Sequence, residues 1–234
     1  MCSTHESQAG GAGFAAGGAR CVDGGPAAAD QAELTSTALE AIDLVHDFRT
    51  AYRTCRRQHP GGRFGPVVAR WFESVSAARA DIELDTLDLL DADLPAHWTT
   101  DLAPRTRAFV QRLADADGFV ILTPEYNHSF PASLKQAIDI AGPVWTRKPV
   151  GFVSYGGLSG GLRAVEQLRP VLAELHATTI RETVSFHRFP FGDDGRPLDG
   201  DGAAQAAAAM TDDLVWWADA LRTARLRDAV PVGS

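Results

Sequence analysis

Lysine and asparagine are almost missing from this chain: its 234 residues hold two lysines, Lys135 and Lys148, and one asparagine, Asn127. Alanine, glycine, arginine and proline are abundant instead. That bias is the imprint of a GC-rich gene, in which the A-rich codons are rare, so the scarcity is not in itself functional. All three scarce residues nevertheless fall between positions 127 and 148. Cysteine is scarce too. Cys2, Cys21 and Cys55 are odd in number and form no C-x-x-C, which argues against a disulfide framework and against a zinc site. The histidines are scattered, and no metal is expected.

An excess of positive charge is also lacking. The 22 basic residues face 30 acidic ones, a net charge of −8. That balance excludes a general nucleic-acid binder, which needs a basic face, and a polybasic membrane anchor. No apolar run approaches the roughly 18 residues of a membrane span. The opening MCSTHESQAGGAGFAAGG has no basic start and no apolar core, so no secretory leader is expected and a cytoplasmic location is.

What is present has a clear rhythm. Residues 1–33 are rich in Gly and Ala, with Phe14 the single aromatic, and read as disordered. Leu39, Ile42, Val45, Phe48 and Tyr52 are spaced as on one helix face, which predicts a helix over 34–55. A Pro/Gly loop, RRQHPGGRFG, follows. Helices are then expected over 66–80, 104–116, 131–141, after residue 161 and over 203–225. Strands are expected over 82–90, 118–124, 149–157 and 178–186. GFVILTP and PVGFVSYGG are continuous apolar runs, the mark of strands buried on both faces. Strand–helix alternation predicts an α/β three-layer domain around a parallel sheet, with ligands at the carboxyl ends of the strands.

Two segments stand at those carboxyl ends. The first is Thr123-Pro124-Glu125-Tyr126-Asn127-His128-Ser129. The second is Ser154-Tyr155-Gly156-Gly157-Leu158-Ser159-Gly160-Gly161, which runs into a helix. Glycines let a ligand approach the backbone, and a helix N-terminus favours a partly anionic group. Each loop alone also reads as a tight strand-to-helix turn.

Together, the runs TPEYNHSFPASLKQAIDI and KPVGFVSYGGLSGGLRAVEQLRPVL resemble the NADPH-dependent FMN reductase family, over about residues 62–225. The resemblance implies a flavodoxin-like fold. It also implies an FMN-dependent oxidoreductase that takes hydride from NADPH or NADH and gives it to a flavin, quinone or similar small acceptor. By the same resemblance Pro124, Glu125, Tyr126 and Asn127 contact the flavin, and Ser154, Gly156, Gly157, Ser159, Gly160 and Gly161 close on it from the other side. The helix carrying Leu134, Lys135 and Ile138 resembles one at the family's subunit interface, which implies a homodimer or homotetramer. No protein nucleophile is implied, because the flavin carries the redox chemistry. His128 reads as a rim residue, Lys148 as a surface charge, and Arg163 and Arg169 as part of a charged outer face.

The start of the chain departs from that pattern. The family opens with a central strand and a phosphate loop of the form Gly-Ser-x-Arg. Here Arg56-Arg57-Gln58-His59-Pro60-Gly61-Gly62-Arg63 stands in its place, with a helical pattern before it. The central strand therefore reads as missing or altered, with residues 1–55 an aberrant extension, residues 56–234 the domain, and Arg63 left to reach the phosphate. GC-rich codons for Arg57–Gly61 can be written so that they spell Gly-Ser-Thr-Arg one base out of frame, which raises the idea of a shifted reading frame upstream. Resequencing codons 30–70 checks this; codons that cannot spell that loop end the idea. A second reading stays open, a non-catalytic flavodoxin-like relic or interaction module; against a third, a one-electron flavodoxin carrier, stand the PEYN segment and the lack of a visible Ser/Thr-rich phosphate loop.

Overall fold

The computed structural model describes residues 46–52 and 63–229. Five parallel strands form one sheet: β1 (His46–Tyr52), β2 (Ile82–Asp88), β3 (Gly118–Pro124), β4 (Pro149–Gly156) and β5 (Thr178–His187). Their order is β2-β1-β3-β4-β5. Between and after them run α1 (Gly65–Ser76), α2 (Pro104–Asp115), α3 (Ala132–Ala141), α4 (Leu162–Glu174) and α5 (Gly200–Ala229). A short 3-10 turn, Gly142–Trp145, follows α3.

The buried strands fold as their composition demands. Every residue of β3 and β4 is buried, and alternate residues feed opposite cores. Val120, Leu122, Val153 and Tyr155 pack with residues of α1 and α5. Phe119, Ile121, Val150 and Phe152 pack with residues of α2, α3 and α4. Period-two alternation into two apolar layers is what makes a central parallel strand read as an unbroken hydrophobic run. At Gly151 a side chain would press on Met210 of α5, its Cβ 3.3 Å from the sulfur, so glycine there lets α5 lie close to the sheet.

The centre of the sheet is filled, which corrects the expectation of a missing first strand. Residues 46–52, read as part of a helix, form β1 instead. Phe48 through Tyr52 pair with Leu84 through Asp88 on one side and with Gly118 through Leu122 on the other. Backbone hydrogen bonding on both edges outweighs the weak helical spacing of a seven-residue segment. The domain therefore begins upstream of the boundary expected between residues 55 and 56. The rest of the expected helix, at 34–45 and 53–55, lies outside the described residues. So do the disorder expected over 1–33 and the phosphate-loop position at 56–62.

The chain passes from β1 out to β2 and then back across to β3. The direction of winding thus reverses between β1 and β3, and a crevice opens at their carboxyl ends.

Candidate functional site

Both chemistry-bearing loops emerge at that edge. The first leaves β3 at Pro124 and turns back on itself. Tyr126 and Ser129 pair both ways, N–H to carbonyl, at 2.8 and 3.0 Å. Asn127 and His128 lie between them with φ of 48° and 71°. Two successive positive φ values make this a two-residue hairpin turn of the mirror-image type, and asparagine and histidine are among the side chains that tolerate it best. Asn127 and His128 are exposed at its tip.

The second loop follows β4 and is built on glycine for a definite reason. Gly160 and Gly161 have φ of 63° and 93°. A Cβ on Gly161 would lie 2.6 Å from the Ser154 Cβ, and one on Gly160 would lie 2.6 Å from the Ser185 Oγ. Gly156 is crowded as well, with Gly161 N 3.0 Å from where its Cβ would stand. Gly157 differs: nothing lies within 4 Å of its missing side chain. The loop is tight underneath and open above.

Support comes from β5 and from the end of β4. Ser154 and Ser185 hydroxyls both donate to the Gly160 carbonyl at 2.9 Å. His187 Nδ1 stands 3.3 Å from the Leu158 carbonyl. The Arg188 N–H is shared between the carbonyls of Gly156 and Gly157 at 2.8 and 3.0 Å. Ser154 is fully buried. It braces the loop from below through its bond to the Gly160 carbonyl.

Glu125 occupies the junction of the two loops. Its N–H donates to the Tyr155 carbonyl at 2.9 Å, extending the sheet pairing. Its carboxylate accepts from the Ser159 hydroxyl, from the Arg163 N–H at 3.3 Å and from the Arg163 guanidinium at 3.4 Å. The Glu125 carboxylate thus takes one N–H at the positive end of α4, the end expected to suit a partly anionic ligand. Pro124 is buried as the last residue of β3. Among the described residues no acceptor is present for the N–H groups of Asn127, His128, Gly157 and Leu158.

Arg63 lies at the same edge, before α1, and its guanidinium pairs with Asp88 at the end of β2. The aromatic rings of Phe64, Tyr155, Phe189 and Phe191 pack edge-on at 5.1–5.9 Å beneath the crevice.

Several residues differ from their sequence reading. Lys148 is buried, not a surface charge. Its Nζ donates to the Leu113 and Ala114 carbonyls at 3.1 and 2.7 Å, closing the last turn of α2. Arg163 pairs with Glu125, and Arg169 reaches the Ile180 carbonyl at 2.8 Å over the Phe152 ring. Neither is simply part of a charged face. Leu134 and Ile138 are buried in the core, and Lys135 pairs with Asp139 one turn along α3. Sequence reasoning missed Gln167, Ser185, His187 and Arg188. The only signal for Gln167 was its four-residue spacing from Arg163 on α4.

A profile described as NADPH-dependent FMN reductase matches residues 58–190, more than half the chain. The chain belongs to the NADPH-dependent FMN reductase family. Within it, an NAD(P)H-dependent FMN reductase of Schizosaccharomyces pombe is 34% identical over 108 residues, 42% of this chain and 54% of the relative. A 2-hydroxy-1,4-benzoquinone reductase of Burkholderia is 36% identical over 106 residues, 43% of this chain and 54% of the relative. The chain thus spans about half the length of these curated relatives. A probable NADPH:quinone oxidoreductase of rice matches further, 36% identical over 155 residues, 62% of this chain and 77% of that one. The fold is shared with the flavoenzyme NAD(P)H:acceptor oxidoreductase FerB of Paracoccus denitrificans, at a TM-score of 0.58 and 21% identity over 75% of this chain and 98% of that one. The family match begins at residue 58, close to where the resemblance read from the sequence breaks off. Among the described residues of this family member, no helix is long and apolar enough to cross a membrane.

Proposed function

We propose that this reductase-family chain is an FMN-dependent NAD(P)H oxidoreductase that passes hydride from the nicotinamide, through the flavin, to a flavin, quinone or similar small acceptor. The observation that carries this is the pair of loops at the β3 and β4 carboxyl ends. One is a hairpin turn with outward N–H groups; the other is a glycine loop open above Gly157. A flat heterocycle bearing carbonyl and imine acceptors fits there, with Tyr126 and Asn127 along one loop and Gly156, Gly157 and Leu158 along the other. FMN bound in that place would supply the two-electron chemistry. The chain's residues supply the rest. Outward N–H groups stabilise negative charge on the ring edge. Glu125, Ser159, Gly160 and Gly161 shape the loops instead of meeting the ligand. Arg63, partnered by Asp88 at 23% and 11% side-chain exposure, offers part of a phosphate grip.

Similarity to the benzoquinone reductase of Burkholderia and the probable NADPH:quinone oxidoreductase of rice supports a quinone-like acceptor. For a homodimer or homotetramer the contact face in this reading is the outer side of α3, with Lys135 and Asp139 beside the 70%-exposed Trp98. Light scattering of the purified chain reads that directly.

The deciding experiment is a titration of the full-length chain with FMN, followed by flavin fluorescence. Saturable quenching at micromolar or tighter affinity is expected, with NADPH or NADH oxidation once benzoquinone is added. Absence of saturable quenching overturns the reading.

A further inference from the structure

We propose that Glu125 and Gln167 are positioning residues. Their side chains lock the hairpin turn of residues 126–129 onto α4, so that both loops present their N–H groups as one rigid frame. The inference rests on the proposed FMN site, but its geometry belongs to the protein alone.

Glu125 carries the first lock. Its side chain is 10% exposed, and a carboxylate that far from water is costly unless it is paired and hydrogen-bonded. The compensation comes entirely from the other loop and from α4: the Ser159 hydroxyl, the Arg163 N–H and the Arg163 guanidinium. Capping alone does not require this arrangement, because a serine or threonine at a helix start is an ordinary cap. Drawing the carboxylate from 34 residues away, in the case of Ser159, joins two loops that the chain connects only through α3 and β4.

Gln167 carries the second lock. A two-residue hairpin turn is marginal by itself and needs outside support. The Gln167 Nε2 donates to the His128 carbonyl at 2.6 Å, and its Oε1 accepts from the Ser129 hydroxyl at 2.5 Å. One amide thus grips a tip residue, His128, and one of the two residues that close the turn, Ser129. Arg163 and Gln167 lie four residues apart and share one face of α4. That face is a bracket, and the turn hangs on it at both ends. If the bracket is lost, the N–H groups of Asn127 and His128 no longer keep a fixed distance from those of Gly157 and Leu158.

The test uses the full chain in three variants: Glu125→Ala, Glu125→Gln and Gln167→Ala. Two readouts are taken: the FMN dissociation constant from fluorescence, and peptide-level amide hydrogen exchange without flavin. Glu125→Ala is expected to weaken FMN at least tenfold and to speed exchange in peptides over 125–130 and 157–163. Glu125→Gln restores most of the affinity, because its amide still bonds to the Arg163 N–H and Ser159 hydroxyl. Gln167 is exposed, so Gln167→Ala should melt close to the parent while weakening FMN three- to tenfold and speeding exchange over 125–130 alone. Unchanged exchange in both alanine variants overturns the proposal. So does unchanged FMN affinity in a parent that binds FMN. A parent that binds no FMN defeats the proposed function, and the exchange data then decide the bracket by themselves.

Discussion

A single methyl group at position 161 is enough to disturb the second loop. Gly161 sits at φ 93°, and its Cβ would stand 2.6 Å from Ser154 and 2.8 Å from the Tyr155 nitrogen. Gly161→Ala therefore combines backbone strain with a clash against buried groups, and urea denaturation should show a loss of about 2 kcal/mol or more. Gly157→Ala is the matched control. Its methyl meets nothing, so stability should stay within about 0.5 kcal/mol, and any loss of FMN affinity reports a ligand touching that point. Lys148 makes a different point. Between Arg147 and Pro149 it looks like a solvated charge, yet its ammonium satisfies two carbonyls at the end of α2. Lys148→Met keeps the volume, strands the Ala114 carbonyl and leaves that of Leu113 with only the Ala116 N–H, at a cost of about 1–3 kcal/mol in the same denaturation experiment. The sequence could not reveal this, since the acceptors lie more than 30 residues away.

At the scale of elements, legibility followed composition. β3 and β4 could be read to within one residue because a strand buried on both faces must be apolar throughout. The hairpin turn was visible only as a string of residue types; its geometry depends on Asn127 and His128 both taking positive φ. β1 was misread. HDFRTAY carries charged residues, and Phe48 and Tyr52 fall four apart, which mimics a helix. The alternation Phe48, Thr50, Tyr52 fits a strand equally well, and only two flanking strands decide between them. Thr50 pairs with Thr86 on one side and Val120 on the other. Thr50→Pro removes a ladder donor in mid-sheet and should cost about 3 kcal/mol or more. Circular dichroism should then show loss of the cooperative transition, whereas a helix or loose tail at this position would tolerate the change.

At the scale of the whole molecule, the site was legible as two loops and illegible as one object. Proximity of Glu125 to Arg163, or of His128 to Gln167, follows from the winding of the sheet and not from any local pattern. Ligand binding should register globally. A ligand that binds only the folded chain stabilises it by about 2.7 kcal/mol at one hundred times its dissociation constant. For a chain of this size that is roughly 5–10 °C in melting temperature. FMN should raise the midpoint in a concentration-dependent way; a midpoint that ignores FMN would detach the fold from the cofactor.

The junction at Glu125 also bears on descent. Its carboxylate and the first turn of α4 satisfy each other, so neither can drift freely through evolution. Across homologous sequences, position 125 should change in step with 159 and 163, and position 129 with 167. A transplant of the hairpin turn into another flavodoxin-like scaffold should succeed only when those α4 positions travel with it. The unit of inheritance expected on this account is a pair of segments, 124–129 with 156–167, separated in the chain and transmitted together.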